Sequence, residues 1–235
     1  MTEKKERIAK KMADAGLCSR REAERWIAAG RVSVNGSKLT TPAFVVGEKD
    51  IVLVDNKPLK TKEKTKVWLY YKPTGLVTTH NDPAGRPTVF EKLPKSLPRV
   101  ISVGRLDLNS EGLLLLTNDG EWARKMELPS SHLPRTYRVK VHGNLTTDVL
   151  AKLSKGVKID GIQYAPAKIL VEKKQGTNTW VLMTLTEGKN REIRRLMSFF
   201  GLEVARLIRI SYGPYQLDDL KPGMVKEVPC VLFQE

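Results

Sequence analysis

Cysteine is scarce in this 235-residue chain. Only Cys18 and Cys230 are present, near opposite ends and with no CxxC pair. That excludes a disulfide framework and a thiolate zinc site. The three histidines, His80, His132 and His142, stand at no ligand-like spacing, so a histidine metal centre is excluded as well. No apolar run approaches the roughly 20 residues that a bilayer-spanning helix needs, and residues 1–11 carry no secretory apolar core. The chain reads as soluble and cytoplasmic, without membrane contact. Acidic residues are in deficit: 26 Asp and Glu face 41 Lys and Arg, a formal net charge of +15. A field of that sign and size favours a polyanionic partner, nucleic acid first. Residues 1–62 hold 14 basic and 8 acidic side chains, a net of +6, which leaves +9 for the remainder. Both parts are basic, so this is not a neutral domain with a basic tail. With 40% apolar residues the chain has enough to bury a core.

Local signals come next. Residues 5–30 predict two short helices. The first carries Ile8, Met12 and Ala15 on one stripe and stops at Gly16, a natural left-handed cap. The second opens on Ser19-Arg20-Arg21-Glu22, a capping box, and ends at Gly30. Residues 31–36 predict a strand entering an Asn35-Gly36 hairpin turn, and residues 51–54 a further strand. Arg20 and Arg21 stand in the first turn of the second helix, where the dipole is already positive. A phosphate docked there would reverse the penalty, and Arg25 continues the same side one turn on. Residues 57–66 have little to bury and read as spacer. The expected division is a first domain at 1–60, a linker at 61–66 and a second domain at 67–235. Beyond the linker, strands, turns and a few short helices alternate without a repeat. That predicts an α+β domain with a mixed, largely antiparallel sheet flanked by helices.

The most informative stretch runs from Val103 to Gly120. A short polar loop separates two apolar strands, Val100–Val103 and Leu113–Leu116, of the kind buried on both faces. A carboxylate on a loop with so rigid a base is suited to react, and Asp107 is the candidate. A plain Asx turn at Asp107 remains open on the residues alone. A calcium loop starting there fails, because its twelfth position is Asn118 rather than Glu and its flanks read as strands. A phosphate-cradling GxxxxGK[ST] is absent. Asp107 with Glu111 could also form the carboxylate pair of a glycosidase, but the heavy basic charge argues against a neutral sugar. Downstream, residues 191–200 predict a helix with Asn190 as N-cap, Gly201 as C-cap, and an apolar stripe of Ile193, Leu196, Met197 and Phe200. Arg191 and Arg195 point away from that stripe. Arg194 falls at its edge, within reach of a half-buried carboxylate. Tyr137 shares a strand face with Val139 and Val141, which by pattern alone makes it a core residue.

These motifs carry two resemblances. Residues 8–12 and 16–24, with Ile27, Gly30, Val32 and Val34-Asn35-Gly36, resemble an S4 domain, a small RNA-binding fold, over roughly the first quarter of the chain. Gly104-Arg105-Leu106-Asp107, a small polar loop and then residues 112–120 resemble the signature of the bacterial ribosomal RNA pseudouridine synthases of the RsuA type. Lys72-Pro73-x-Gly75 and residues 135–139, 184–196 and 207–210 belong to the same pattern. With Gly213 and Leu217-x-x-Leu220-x-x-Gly223 they extend it over nearly the whole chain. The resemblance implies an enzyme that isomerises uridine in ribosomal RNA. It implies Asp107 as nucleophile, Tyr137 packing against the target base, and Arg194 pairing with Asp107. Arg105, Leu106 and Leu207, or its neighbour Ile208, would line the pocket. Arg20, Arg21, Arg25, Lys189, Arg191 and Arg195 would contact RNA. No metal and no organic cofactor is implied. Residues 184–196 and 207–213 are closer in form to the large-subunit, RluB-like branch. The expected substrate is therefore large-subunit ribosomal RNA or a ribosome assembly intermediate, bound by a monomer, with small-subunit RNA as the alternative. The family pattern has Gln where this chain has Glu192. The competing expectation is a non-catalytic RNA-binding or ribosome-assembly protein that retains the fold. The intact Gly104–Asp107 motif, Tyr137 and Arg194 argue against it.

Overall fold

The computed structural model describes residues 5–231. Residues 1–4 and 232–235, the outer ends of the two expected domains, lie outside the described residues. Two compact units are present. One holds the chain up to Lys66 together with Lys95–Ile101 and Asn118–Gly120, and the other holds the rest. Among the described residues no helix is long and apolar enough to cross a membrane.

In the first unit, α1 (Ile8–Asp14) and α2 (Arg20–Ala28) follow the predicted stripes. Ile8, Met12, Ala23 and Ile27 are buried with Val32, Val34, Val52 and Val54 in a single apolar core. Cys18 is buried there too, and burial, followed by Glu22, pushes its thiol up to about 11, so it serves as a small hydrophobe. Ser19 Oγ accepts from the Glu22 amide at 3.1 Å, as a capping box requires. Four strands, β1 (Val32–Val34), β2 (Ser37–Lys38), β3 (Val52–Val54) and β4 (Lys57–Pro58), lie in the order β2-β1-β3-β4. Strand β4 corrects the spacer reading. Asp55 and Asn56, at φ 48° and 62°, close a second hairpin that draws Lys57 and Pro58 into the sheet. The residues after it are tethered rather than free. Thr65 Oγ1 donates to Asp119 Oδ2 at 2.7 Å, Lys62 Nζ pairs with the same carboxylate at 2.8 Å, and the Lys66 amide donates to Asn118 Oδ1 at 2.8 Å. Composition saw few apolar side chains there. It could not see hydrogen bonds to a pair of polar residues far along the chain.

The second unit is built on a mixed sheet. Its main strands are β5 (Val67–Lys72), β6 (Glu111–Thr117), β7 (Arg135–His142), β8 (Lys168–Gln175), β9 (Asn178–Leu185), β10 (Glu203–Tyr212) and β11 (Val225–Val228), in the order β8-β9-β7-β10-β6-β5-β11. These pairs are antiparallel except β10 with β6, which run parallel through Ile208–Glu111 and Arg209–Gly112. The α+β expectation holds. Every residue of β6 is buried, and Leu113 to Leu116 are fully so. Each such leucine contributes about 1.5–3 kcal/mol, which makes β6 a stiff base for the loop before it. One face of the sheet packs Val139, Val141, Val181, Met183 and Leu207 against Leu153 of α3 (Thr147–Lys155) and Ile193, Leu196 and Met197 of α4 (Glu192–Phe199).

Helix α4 starts later than predicted. Arg191, not Asn190, is its N-cap, in a left-handed conformation at φ 51° and without a side-chain cap. The Glu192 carboxylate instead reaches back to the Lys189 amide at 3.0 Å. At the other end Gly201, at φ +69°, follows the last turn, and the Leu202 amide closes onto the Met197 carbonyl at 3.0 Å.

Candidate active site

Loop 104–110 is placed by what happens at Gly112. Its φ is +101°, and a Cβ there would lie 2.3 Å from the Arg209 carbonyl. Only glycine lets β10 run this close to β6, and that approach sets Leu207 and Arg209 beside the loop. The loop opens into a cleft of about 660 Å³, lined by Asp107, Arg105, Leu106, Tyr137, Arg191 and Leu207 among others. Tyr137 is half-buried, two positions before the buried Val139 on the same strand. Of the two expected lining residues, Leu207 faces the cleft, whereas Ile208 is buried away from it.

Five consecutive carbonyls of the loop are each held by a donor from elsewhere in the chain. Leu106 O accepts from Thr78 Oγ1 at 2.8 Å, and Leu108 O from the Gly75 amide at 2.8 Å. Asn109 O accepts from Arg194 Nη2 at 2.9 Å. Asp107 O and Ser110 O accept from Lys72 Nζ at 3.0 and 2.8 Å. Lys72 is fully buried, and its ammonium also donates to Pro73 O at 3.0 Å, which uses all three of its protons. Burial lowers its pKa to about 8, against the opposing pull of Asp107 and Glu111. A backbone clamped at five successive positions has little freedom left, so the Asp107 carboxylate is aimed by the loop itself.

The electrostatic partner of Asp107 is not the one predicted. Arg191 Nη1 lies 3.8 Å from Asp107 Oδ2, with the Arg191 side chain 51% exposed and that of Asp107 31% exposed. Arg194 makes no ion pair with Asp107. It spends its guanidinium on two carbonyls, Val204 O at 3.0 Å and Asn109 O at 2.9 Å. Burial, with Arg191 nearby, pulls its pKa down, and Asp107 counters only in part. Thus Arg191 does not face away as the predicted helix required. The left-handed residue at the N-cap turns the chain as it enters α4 and swings that side chain into the cleft. Arg195 is exposed, as expected. Lys189 is less available than expected, because its ammonium pairs with Glu187 and sits over the Tyr164 ring at 5.5 Å.

Glu111 answers the glycosidase alternative. Arg206 holds it at 2.6 Å and Tyr71 Oη donates to it at 3.1 Å, and it does not line the cleft. The Arg206 hydrogen bond chiefly holds its carboxyl below the usual range. It is a structural anion, not a proton donor. Among the described residues, no group of three or more acidic, histidine or cysteine side chains is arranged to hold a metal. Lys72, Gly75 and Thr78 are the site residues that residue-by-residue reasoning missed. The signal for Lys72 and Gly75 was the Lys72-Pro73-x-Gly75 motif, whose role depends on contacts more than 30 positions away, and Thr78 left no signal of its own.

Comparison with known proteins agrees with this geometry. Residues 66–199 match the RNA pseudouridylate synthase family and residues 6–52 match the S4 domain. An uncharacterized RNA pseudouridine synthase of Rickettsia bellii is 52% identical over 97% of this chain and 99% of its own length. The ribosomal large subunit pseudouridine synthase B of Yersinia pestis is 45% identical over 90% of this chain and 69% of its own. A pseudouridylate synthase crystal structure superposes with a TM-score of 0.67 at 26% identity, covering 95% of this chain and 96% of the other. With an S4 domain in its first unit and an Asp-bearing loop clamped at the edge of a cleft, the chain belongs to the RNA pseudouridylate synthase family, enzymes that isomerise uridine in RNA.

Proposed function

We propose that this enzyme converts a uridine of large-subunit ribosomal RNA to pseudouridine, with Asp107 as its nucleophile. The observation that carries the nucleophile is the five-point clamp on loop 106–110, which holds one carboxylate in the cleft with a guanidinium 3.8 Å away. The large-subunit preference is supported by the relatives named large subunit pseudouridine synthase B. Isomerisation breaks the N-glycosidic bond, turns the base and rejoins it through carbon. The target must first leave its stack, at a cost of a few kcal/mol. Backbone contacts to a chain of net charge +15 offset that cost. Tyr137 presents its ring to the flipped base, and Arg105, Leu106 and Leu207 complete the pocket. Arg191 sets a positive charge beside Asp107, and Arg194 keeps its loop in place. The chemistry calls for no metal or organic cofactor. The enzyme acts as a cytoplasmic monomer on ribosomal RNA or an assembly intermediate. Mapping pseudouridines in ribosomal RNA from a deletion strain tests the target. Loss of a large-subunit site is the expected result, and loss confined to small-subunit RNA would overturn that choice.

Two expected results follow from the charged side chains. Arg20, Arg21 and Arg25 are exposed on α2. The double change Arg20→Glu and Arg21→Glu should weaken RNA binding and lower the log–log salt slope by about one to two units, as for two lost phosphate contacts. An unchanged slope in a salt titration would move the RNA contact elsewhere.

Arg191 and Arg194 should separate cleanly. Arg191→Met removes a half-exposed countercharge, so single-turnover rate should fall about tenfold with little change in melting. Arg194→Met removes the donor to the part-buried Val204 carbonyl, at about 1–3 kcal/mol, and frees the exposed Asn109 carbonyl to solvent, so it should lower stability as well as rate. Thermal melts and single-turnover assays on both variants check this. An Arg194→Met protein that melts like wild type would show that the guanidinium is not a clamp.

A further inference from the structure

The turn between β9 and α4 holds a pair of carboxyl groups that the proposed chemistry leaves unused. Glu192 is 4% exposed. Its Oε2 accepts from the Lys189 amide at 3.0 Å, but its Oε1 is buried and has no hydrogen-bond partner. The side chain it meets is the carboxyl of Glu187. Glu187 is already well supplied: the Ala165 amide donates to its Oε1 at 2.8 Å and Lys189 Nζ donates to its Oε2. Two ionised carboxylates in contact, one with an orphaned oxygen, would repel each other with no donor between them. A single proton removes both faults. It gives Glu192 a proton to donate to the neighbouring carboxyl, and it leaves one negative charge for the one Lys189 ammonium.

We propose that Glu192 is a positioning residue that carries a proton in the folded enzyme and shares it with Glu187. This acid–carboxylate pair locks the 187–192 turn and holds Arg191, in its left-handed backbone, beside Asp107. The other charged and titratable groups around the pair do not replace the proton. Lys189 is committed to Glu187 and lies over Tyr164. Arg135, from β7, stands beyond Gly188 and donates to Leu133 O and Tyr212 Oη. Arg191 and Arg195, on either side of the first turn of α4, are exposed. The helix dipole at this first position favours the ionised form, yet it supplies no donor to Oε1. In keeping with the geometry, burial and then Glu187 push the Glu192 carboxyl up to about 8, while Glu187 stays below the usual range.

The sign of the linkage defines the test. Glu192 has a folded pKa raised from 4.5 to about 8, so folding takes up a proton. The stability it contributes is complete below about 4.5 and is lost as pH rises toward about 8. Glu192→Gln carries a permanent donor in place of the acid. The ratio of its folding constant to that of wild type should therefore climb by up to about tenfold per pH unit between those limits and then level off. Lys72 also titrates near 8 but is common to both proteins and cancels. Infrared difference spectra at neutral pH should show a protonated carboxylic acid in wild type that Glu192→Gln lacks. The kinetic arm rests on the proposed reaction: Glu192→Gln should keep near wild-type single-turnover rates, while Glu192→Ala should lose about a hundredfold as the turn shifts. A folding ratio independent of pH, with no carboxylic acid band, overturns the shared proton. Glu192→Gln as slow as Glu192→Ala overturns the positioning role. Melts and spectra need no RNA, so their failure is distinct from a failure of the reaction assignment.

Discussion

Replacing Asp107 by Asn should abolish pseudouridine formation while leaving RNA affinity and melting temperature close to wild type. The amide keeps the shape of the carboxylate and removes its charge and nucleophilicity, so the proposed nucleophile is lost without a hole. None of the five clamps on loop 106–110 uses the Asp107 side chain; they use backbone carbonyls. The loop should therefore stay where it is. The side chain's ion pair with Arg191 is long, at 3.8 Å, and half open to solvent, so its loss should cost folding little. Removal of a nucleophile typically lowers the chemical step by about 10⁴-fold or more, which places ~5 kcal/mol on this one group. Single-turnover assay at saturating enzyme measures the rate, and filter binding with thermal melting measures the rest. Turnover near the wild-type level would remove Asp107 from the reaction.

Lys72→Met is expected to have the next largest effect, and on both stability and rate. The methionine matches the lysine in length but donates nothing. Pro73 O and Ser110 O then lose this donor, and Asp107 O keeps only the Ser110 amide. Each stranded acceptor costs about 1–3 kcal/mol, and relief of the buried ammonium's own desolvation returns part of that. A net loss of roughly 2–4 kcal/mol is expected from the two carbonyls left without a donor. Two of the three carbonyls belong to the loop that carries Asp107, the proposed nucleophile. A shift of about 1 Å there can cost a further hundredfold in rate among molecules that remain folded. Denaturant melts give the first quantity, and single-turnover kinetics at low temperature, normalised to folded protein, give the second. Arg194→Met removes one loop clamp where Lys72→Met removes two, so it should fall between Lys72→Met and wild type in both. If Lys72→Met folds and reacts normally, the clamp is not what aims Asp107.

The chain's affiliation, the polar loop that carries Asp107 and the S4 helices were legible from sequence because each is written locally. Ser19 and Glu22 lie three positions apart, as one turn of capping demands. The Asn35-Gly36 hairpin needs only two residues that tolerate positive φ. The Val103–Gly120 stretch is contiguous, so its pattern survives in one dimension. Strand order, Lys72 and the arginines of α4 are different. The parallel register of β10 on β6 joins residues about a hundred positions apart. Lys72 meets Asp107 across 35 positions, and as a buried lysine it looks like any basic residue in a basic chain.

What the sequence by itself determined is therefore the chemistry available: an aspartate in a rigid loop, a basic surface and an RNA-binding module. What tertiary structure alone decided is which cation does what. A regular helix from 191 onward would have turned Arg191 outward and Arg194 inward. The left-handed step at Arg191 breaks that projection, and Glu192, reaching back to Lys189, holds the step. Helical phase can be read from spacing only while the backbone stays helical. One residue with positive φ reorients the side chain at the helix entrance, and whether that strain is tolerated depends on contacts from residues elsewhere in the fold.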